Sequence, residues 1–320
     1  MVPKPTLQDL QLAHTRIVDK VHHTPLLANQ SLNTRVGQSV FLKCENFQKT
    51  GSFKVRGALN SIMNLDEAKR SKGVVTVSAG NHAQALAWAA QELNIPTTVV
   101  MNTKASLTKV RATEAYGGKV ILKGTPQEAF ELAIQIAEEK NMTFVHPFDD
   151  PDVIAGQGTV GLEIFGDMEN IESLIVPIGG GGLIAGMALV KGYLRPDVKI
   201  YGVEPEGAAA MHASLQRGQA ITLNSTSTIA DGLAAPMAGN LTFQIVQELV
   251  DEVIVVSDEQ ITKAMSFLLS RTKLLVEPAG CAVIAALFSG KIQSESSGNI
   301  VAILSGGNIS LEDLSKQSLD

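Results

Sequence analysis

Cysteine is scarce in this chain: Cys44 and Cys281 are the only two, and they lie far apart. That excludes a disulfide framework and a cysteine zinc site, and it fits reduced core thiols in a cytoplasmic protein. Long apolar runs are missing as well. Hydrophobic residues make up 45% of the 320 positions, yet Gly, Pro or charge interrupts every stretch well before the ~20 residues of a membrane span. The segment Met1–Leu12 carries Lys4 and Asp9 among Pro and Gln and lacks the apolar core of a cleaved secretory signal. Basic clusters are absent too. The formal net charge is −6 and Lys and Arg are scattered, which argues against a nucleic-acid surface. His22 and His23 are adjacent, while His14, His82, His146 and His212 stand alone, so no histidine metal site is expected.

What is present is an alternation of short apolar strands with longer helical stretches, the pattern of an α/β protein with parallel sheets. Strands are predicted at Gly73–Val77, Thr97–Met101, Lys119–Leu122, Thr143–Val145, Ser173–Pro177, Lys199–Glu204, Val253–Val256 and Asn299–Leu304. Between the first two, Ala83, Leu86, Ala87, Ala90 and Leu93 share one helical face, and Ile95-Pro96 ends that helix. Weak breaks near Arg70–Gly73 and His146–Asp152 bracket a smaller inserted domain.

Four segments carry chemistry. After the strand Ser173–Pro177, the turn Gly179–Gly182 opens a helix near Leu183. Glycines let backbone N–H groups turn inward around an anion, and the helix adds its positive end, so a phosphate is expected there. The same turn fits a second class of protein. Gly180, Gly182 and Ala185 match a G-x-G-x-x-A dinucleotide fingerprint, with Glu204 about 20 residues on as a ribose-binding acid. In Lys49–Gly57, KTGSFKVRG, Ser52 is placed to cap a helix running toward Met63, which puts Lys54 in the first turn. The helix dipole and apolar Phe53 and Val55 both disfavour its ammonium form, as a Schiff-base lysine requires. Ser78–Gln84, SAGNHAQ, gathers Ser78, Gly80, Asn81 and His82 at a helix entry, where a carboxylate is attracted. A turn capped by Ser78 or Asn81 explains the same residues. In Leu304–Asn308, LSGGN, Ser305 leaves the last strand with a hydroxyl at its tip; a hydrogen bond to the turn backbone is the plain explanation.

Together these motifs resemble the fold-type II pyridoxal-phosphate (PLP) enzymes, and within them the threonine dehydratase and serine racemase branch. The resemblance covers nearly the whole chain. The stretch Thr228–Ser257 is most similar to the short catabolic threonine dehydratases. The resemblance implies a two-domain α/β fold like that of tryptophan synthase β, with parallel-rich open sheets flanked by helices. A small domain, 73–148, is then inserted in a large cofactor-binding domain, 1–72 and 149–320. It also implies that Lys54 holds PLP, that Asn81 meets its ring hydroxyl, Gly179, Gly180, Gly181 and Gly182 with Leu183 its phosphate, and Ser305 its pyridine nitrogen. Phe53 and Gly232 flank the ring, and Ser78, Ala79, Gly80, Asn81 and His82 bind substrate. The implied reaction removes water from L-threonine or L-serine and yields 2-oxobutanoate or pyruvate with ammonium. Serine racemase and 3-hydroxyaspartate dehydratase are the near alternatives; an NAD-type oxidoreductase and a ligand-binding regulator that kept the fold are the distant ones. A homodimer or homotetramer and a nucleotide effector are further implications.

Two departures from the racemases stand out. Ala79 replaces the serine that serves as their second acid-base. Their divalent-metal positions read Glu204, Ala208 and Ala210 here, so the last carboxylate is missing and no metal is expected. At Ser305 a neutral hydroxyl cannot hold a protonated pyridine nitrogen as a carboxylate does, which favours elimination over transamination.

Overall fold

The computed structural model describes residues 2–292 and 298–317. Its strands are β1 (Leu26–Ala28), β2 (Val40–Lys43), β3 (Val74–Val77), β4 (Thr97–Met101), β5 (Lys119–Leu122), β6 (Thr143–Phe144), β7 (Ile171–Pro177), β8 (Lys199–Pro205), β9 (Glu252–Val256) and β10 (Asn299–Ile303). They form two sheets. A six-stranded sheet runs in the order β1-β2-β10-β7-β8-β9 and a four-stranded one in the order β5-β4-β3-β6. Every pairing is parallel except β1 with β2. The eight expected strands are all present, two with the expected bounds and six with an end shifted by one or two residues. The strands β1 and β2 were not expected.

Parallel strands covered on both faces read as continuous apolar runs, and the six-stranded sheet shows why. Along β10, Ile300 and Ala302 pack into one core, with Val283 and Ile284 of the helix Pro278–Phe288. Their neighbours Val301 and Ile303 pack into the opposite core, with Ile154 and Leu183 of the helices Pro151–Asp167 and Gly182–Leu194. The helix Lys54–Met63 lies so close to Pro151–Asp167 that a Cβ on Gly156 would sit 2.6 Å from the Gly57 Cα. That approach fixes the lysine helix against the layer that carries the glycine turn. No helix among the described residues is long and apolar enough to cross a membrane.

Candidate active site

Lys54 is the first residue of its helix, as its place in SFKVRG predicts, but the cap differs from expectation. Phe53 is the N-cap and makes no side-chain cap bond. Ser52 instead bridges Gly306 across an isolated antiparallel contact, and its buried hydroxyl has no hydrogen-bond partner. The cause is long-range: the lysine segment is zipped to the last loop, with the Phe53 N–H donating to the Ser305 carbonyl at 3.1 Å and the Gly307 N–H to the Gly51 carbonyl at 2.9 Å. Ser305, 3% exposed, is thereby held beside Lys54.

Two residues further on, fully buried Arg56 anchors the helix start. Its guanidinium bonds Glu45 at 2.8 Å and Glu163 at 2.6 Å, and Lys43 pairs with Glu163 at 2.7 Å. Buried charges persist only when paired and hydrogen-bonded in this way. The Lys54 ammonium itself donates to the Pro147 carbonyl at 2.8 Å and lies 5.3 Å from the Phe53 ring. Burial lowers its pKa from 10.5 to about 8, against the pull of Glu277. An amine of that kind is available near neutral pH.

The segment after Pro147 leads to the glycine turn. A Cβ on Gly180 would fall 2.3 Å from the Phe148 ring, and Gly181 adopts φ 96, which only glycine takes without strain. The helix Gly182–Leu194 starts there, with its first N–H groups directed out of its end. Asp149 accepts from the N–H groups of Asn240, Leu241 and Thr242 at 2.9, 3.0 and 3.1 Å. The Thr242 hydroxyl then donates to the Gly180 carbonyl at 2.7 Å. His146 Nδ1 accepts from Asp149 at 2.8 Å, and burial holds this ring neutral by lowering its pKa to about 4.

From the four-stranded sheet comes the loop Ser78–Gly80, followed by the helix Asn81–Glu92. Neither predicted cap operates. Gly80 is the N-cap without a side-chain bond, while Ser78 Oγ accepts from the Gly80 N–H at 3.2 Å. Asn81 reaches across to the six-stranded sheet and donates to Glu277 at 2.7 Å. The His82 ring turns away into the core, facing the Val145 carbonyl at 3.4 Å, and burial lowers its pKa to about 3. Gly232 lies between the glycine turn and Glu277: its carbonyl would be 3.1 Å from a Cβ on Gly179, and its own Cβ would come 3.7 Å from Glu277 Oε1.

Lys54, Ser305, Asn81 and Gly179–Gly182 are therefore brought together by a chain of contacts that runs through Pro147, Phe148, Gly232 and Glu277. Glu277, Asn308, Pro147, Phe148 and Arg56 belong to the same surroundings and were not singled out from sequence. Only the Glu-Pro-Ala-Gly run at Glu277–Gly280, a carboxylate just ahead of a proline-led helix, signalled any of them. Glu204 lies elsewhere. Its two oxygens accept from the N–H groups of Met211 and His212 at 2.9 and 2.7 Å, so it caps the helix Ala210–Arg217 and is not free to bind a ribose. Ala208 is buried beside it, at 1% exposure, and among the described residues no group of acidic, His or Cys side chains could hold a metal.

The residues fit PLP. Besides Ser52, the Thr50 hydroxyl of the lysine segment is buried without a partner, and the glycine turn has no room for a Cβ at Gly180, where it would meet the Phe148 ring. The comparisons with known proteins agree. The family described as pyridoxal-phosphate dependent enzyme matches residues 17–306. An L-threonine ammonia-lyase of Thermotoga maritima is 46% identical over 95% of this chain and 76% of its own. An L-threo-3-hydroxyaspartate ammonia-lyase of Saccharomyces cerevisiae is 43% identical over 96% and 94%. Maize serine racemase superposes with a TM-score of 0.94 at 40% identity, covering 98% of this chain and 97% of that one.

Proposed function

Because the chain belongs to the pyridoxal-phosphate-dependent enzyme family, we propose that it eliminates water from L-threonine, L-serine or both and releases 2-oxobutanoate or pyruvate with ammonium. The observation that carries this reading is the buried Lys54 amine, its pKa lowered to about 8, bonded to the Pro147 carbonyl next to the Phe148 that abuts Gly180. Bound PLP supplies the electron sink for the pair left on Cα when its proton is removed. Lys54 holds the cofactor and takes that proton, near neutral pH, where an amine of this pKa exchanges readily. The N–H groups of Gly179–Gly182 and Leu183 would hold the phosphate, Phe53 and Gly232 would hold the ring, and the Ser305 hydroxyl would serve its nitrogen. The end of the helix Asn81–Glu92, with Ser78, Ala79, Gly80 and the His82 backbone, receives the substrate carboxylate.

The same reading divides the chain into a large domain, 1–72 and 149–320, around the six-stranded sheet, and a small one, 73–148, around the four-stranded sheet. It makes the protein a cytoplasmic homodimer or homotetramer, supported by exposed Phe47, Leu269 and Leu275 and tested by light scattering. A nucleotide effector suits the surface pocket where Arg35, Lys263 and Arg271 meet Phe267.

The alternatives are 3-hydroxyaspartate dehydration and serine racemisation, since relatives bear those names. Ala79 weighs against racemisation, because a lysine serves one face of a planar carbanion and a methyl group cannot serve the other. A panel of L-threonine, L-serine and L-threo-3-hydroxyaspartate, scored for 2-oxo acid and for D-serine, tests the reading. Elimination should exceed racemisation in the natural protein, and Ala79→Ser should raise the racemised share. D-Serine formed as fast as pyruvate by the natural protein overturns it.

A further inference from the structure

Asn81 is an inner link of a hydrogen-bond chain that runs from the Thr50 carbonyl to Glu277. Asn308 Nδ2 donates to the Thr50 carbonyl at 2.7 Å and to Asn81 Oδ1 at 2.9 Å, and Asn81 Nδ2 donates to Glu277 Oε1 at 2.7 Å. A backbone carbonyl can only accept, so Asn308 must present its NH₂ group to both Thr50 and Asn81. Turning the Asn81 amide over would set its oxygen against the Glu277 carboxyl and its nitrogen against that of Asn308, two repulsive contacts in place of two bonds. The three side chains come from three separated segments, and the buried Glu277 is 7% exposed. Its backbone N–H is tied to the Gly306 carbonyl at 3.1 Å. Asn81 therefore has its oxygen turned to Asn308 and its NH₂ group turned to Glu277, with one N–H left over.

We propose that Glu277 and Asn308 are positioning residues that hold Asn81 as an obligate donor, so that it selects the anionic form of the ring oxygen of PLP. This rests on the functional reading above and on the contact between Asn81 and the ring hydroxyl that the family resemblance implies. The groups of titratable or charged character that face Glu277 are Lys54, Lys109, Asp231 and Cys281, and the variants leave all four in place.

The test is PLP titration and the pH dependence of the bound cofactor's visible band, in the natural protein and in Asn308→Ala, Glu277→Ala and Glu277→Gln. With a donor hydrogen bond to an anion lost, the two alanine variants should bind PLP roughly tenfold more weakly and move the midpoint of the band by about one pH unit. Glu277→Gln keeps an acceptor for Asn81, and should restore most of the affinity lost in Glu277→Ala. A purely structural role would lower stability without moving the midpoint. If Glu277→Ala does not fold, Asn308→Ala against Glu277→Gln decides. Affinity and midpoint within twofold and 0.2 pH units, roughly, of the natural values in Asn308→Ala overturn the proposal. A natural protein that develops no visible band with PLP overturns the functional reading instead.

Discussion

The two sheets contribute to the site in different ways. The six-stranded sheet presents Ser305 and the glycine turn on elements packed into two continuous cores, one on each face, while the Lys54 helix packs Val55, Ala58, Leu59 and Ile62 into a third core shared with Val74 and the helix Asn81–Glu92. They are tied further by the Arg56 charge cluster and by main-chain bonds from Phe53 and Gly307. The four-stranded sheet presents Ser78–His82 from a thinner body. Apart from the core its helix Asn81–Glu92 shares with the Lys54 helix, it holds only small clusters, Val75 with Val100, Ala129, Ala133 and Ile136, and Ala83 with Val99, Met101 and Val110. Polar ties cross to the larger sheet's side at a few points: Asn81 to Glu277 and Asn308, Lys54 to the Pro147 carbonyl, and Lys109 to Asp231. A cofactor floor needs one fixed geometry, whereas a clamp that admits and releases substrate is drawn from the less stable part of a fold.

The largest effect on the floor is expected from Arg56→Met, which leaves Glu45 buried without its cation and Glu163 with Lys43 alone. Stability should drop by about 3–5 kcal/mol, read as a lower urea midpoint. A loss under about 1 kcal/mol would mean the cluster is hydrated and does not anchor the lysine helix. Next is Gly180→Val, whose Cβ meets the Phe148 ring at 2.3 Å. It should weaken PLP binding by about tenfold or more and cost about 1–3 kcal/mol of stability; unchanged affinity would show that the turn does not cradle phosphate.

A smaller effect concerns Glu204, whose pKa burial raises from 4.5 to about 7. The fold then holds this proton more tightly than the unfolded chain. Its contribution is present in full below pH 4.5 and is lost as the pH rises through 7. Glu204→Gln should therefore flatten the decline in melting temperature between pH 5 and pH 8, roughly the window between those two values, and an unaltered slope would contradict this. The smallest effect belongs to the clamp. Lys109→Ala removes a 2.6 Å ion pair to a mostly exposed Asp231, which should cost under about 1 kcal/mol. Hydrogen exchange should quicken in the helix Leu107–Ala115 and not in Gly182–Leu194. Equal changes in both would erase the distinction between floor and clamp.

Sequence carried the local half of this arrangement. The glycine turn, the lysine at a helix start and the strand periodicity from Gly73 onward depend on neighbouring residues, and all appear in the fold as expected. The short strand β1 has two exposed residues of three, too little pattern to read, and β2 spans just four positions. Ser52 has the chemistry of a cap, yet pairing with Gly306 overrides it. Partners of Asn81 lie 196 and 227 positions away, and Arg56 meets Glu163 at a separation of 107. No spacing rule reaches that far, so Glu277, Asn308 and the charge cluster emerge only once the chain is folded.

The most direct measurement is reduction of the purified, PLP-loaded protein with borohydride, followed by peptide mapping and assay on L-threonine. The account predicts that the peptide containing Lys54 gains the mass of a reduced pyridoxyl phosphate group, and that Lys54→Ala folds but loses both the adduct and roughly a thousandfold or more of 2-oxobutanoate formation. An adduct on another lysine, or threonine dehydration that survives in Lys54→Ala, would contradict it.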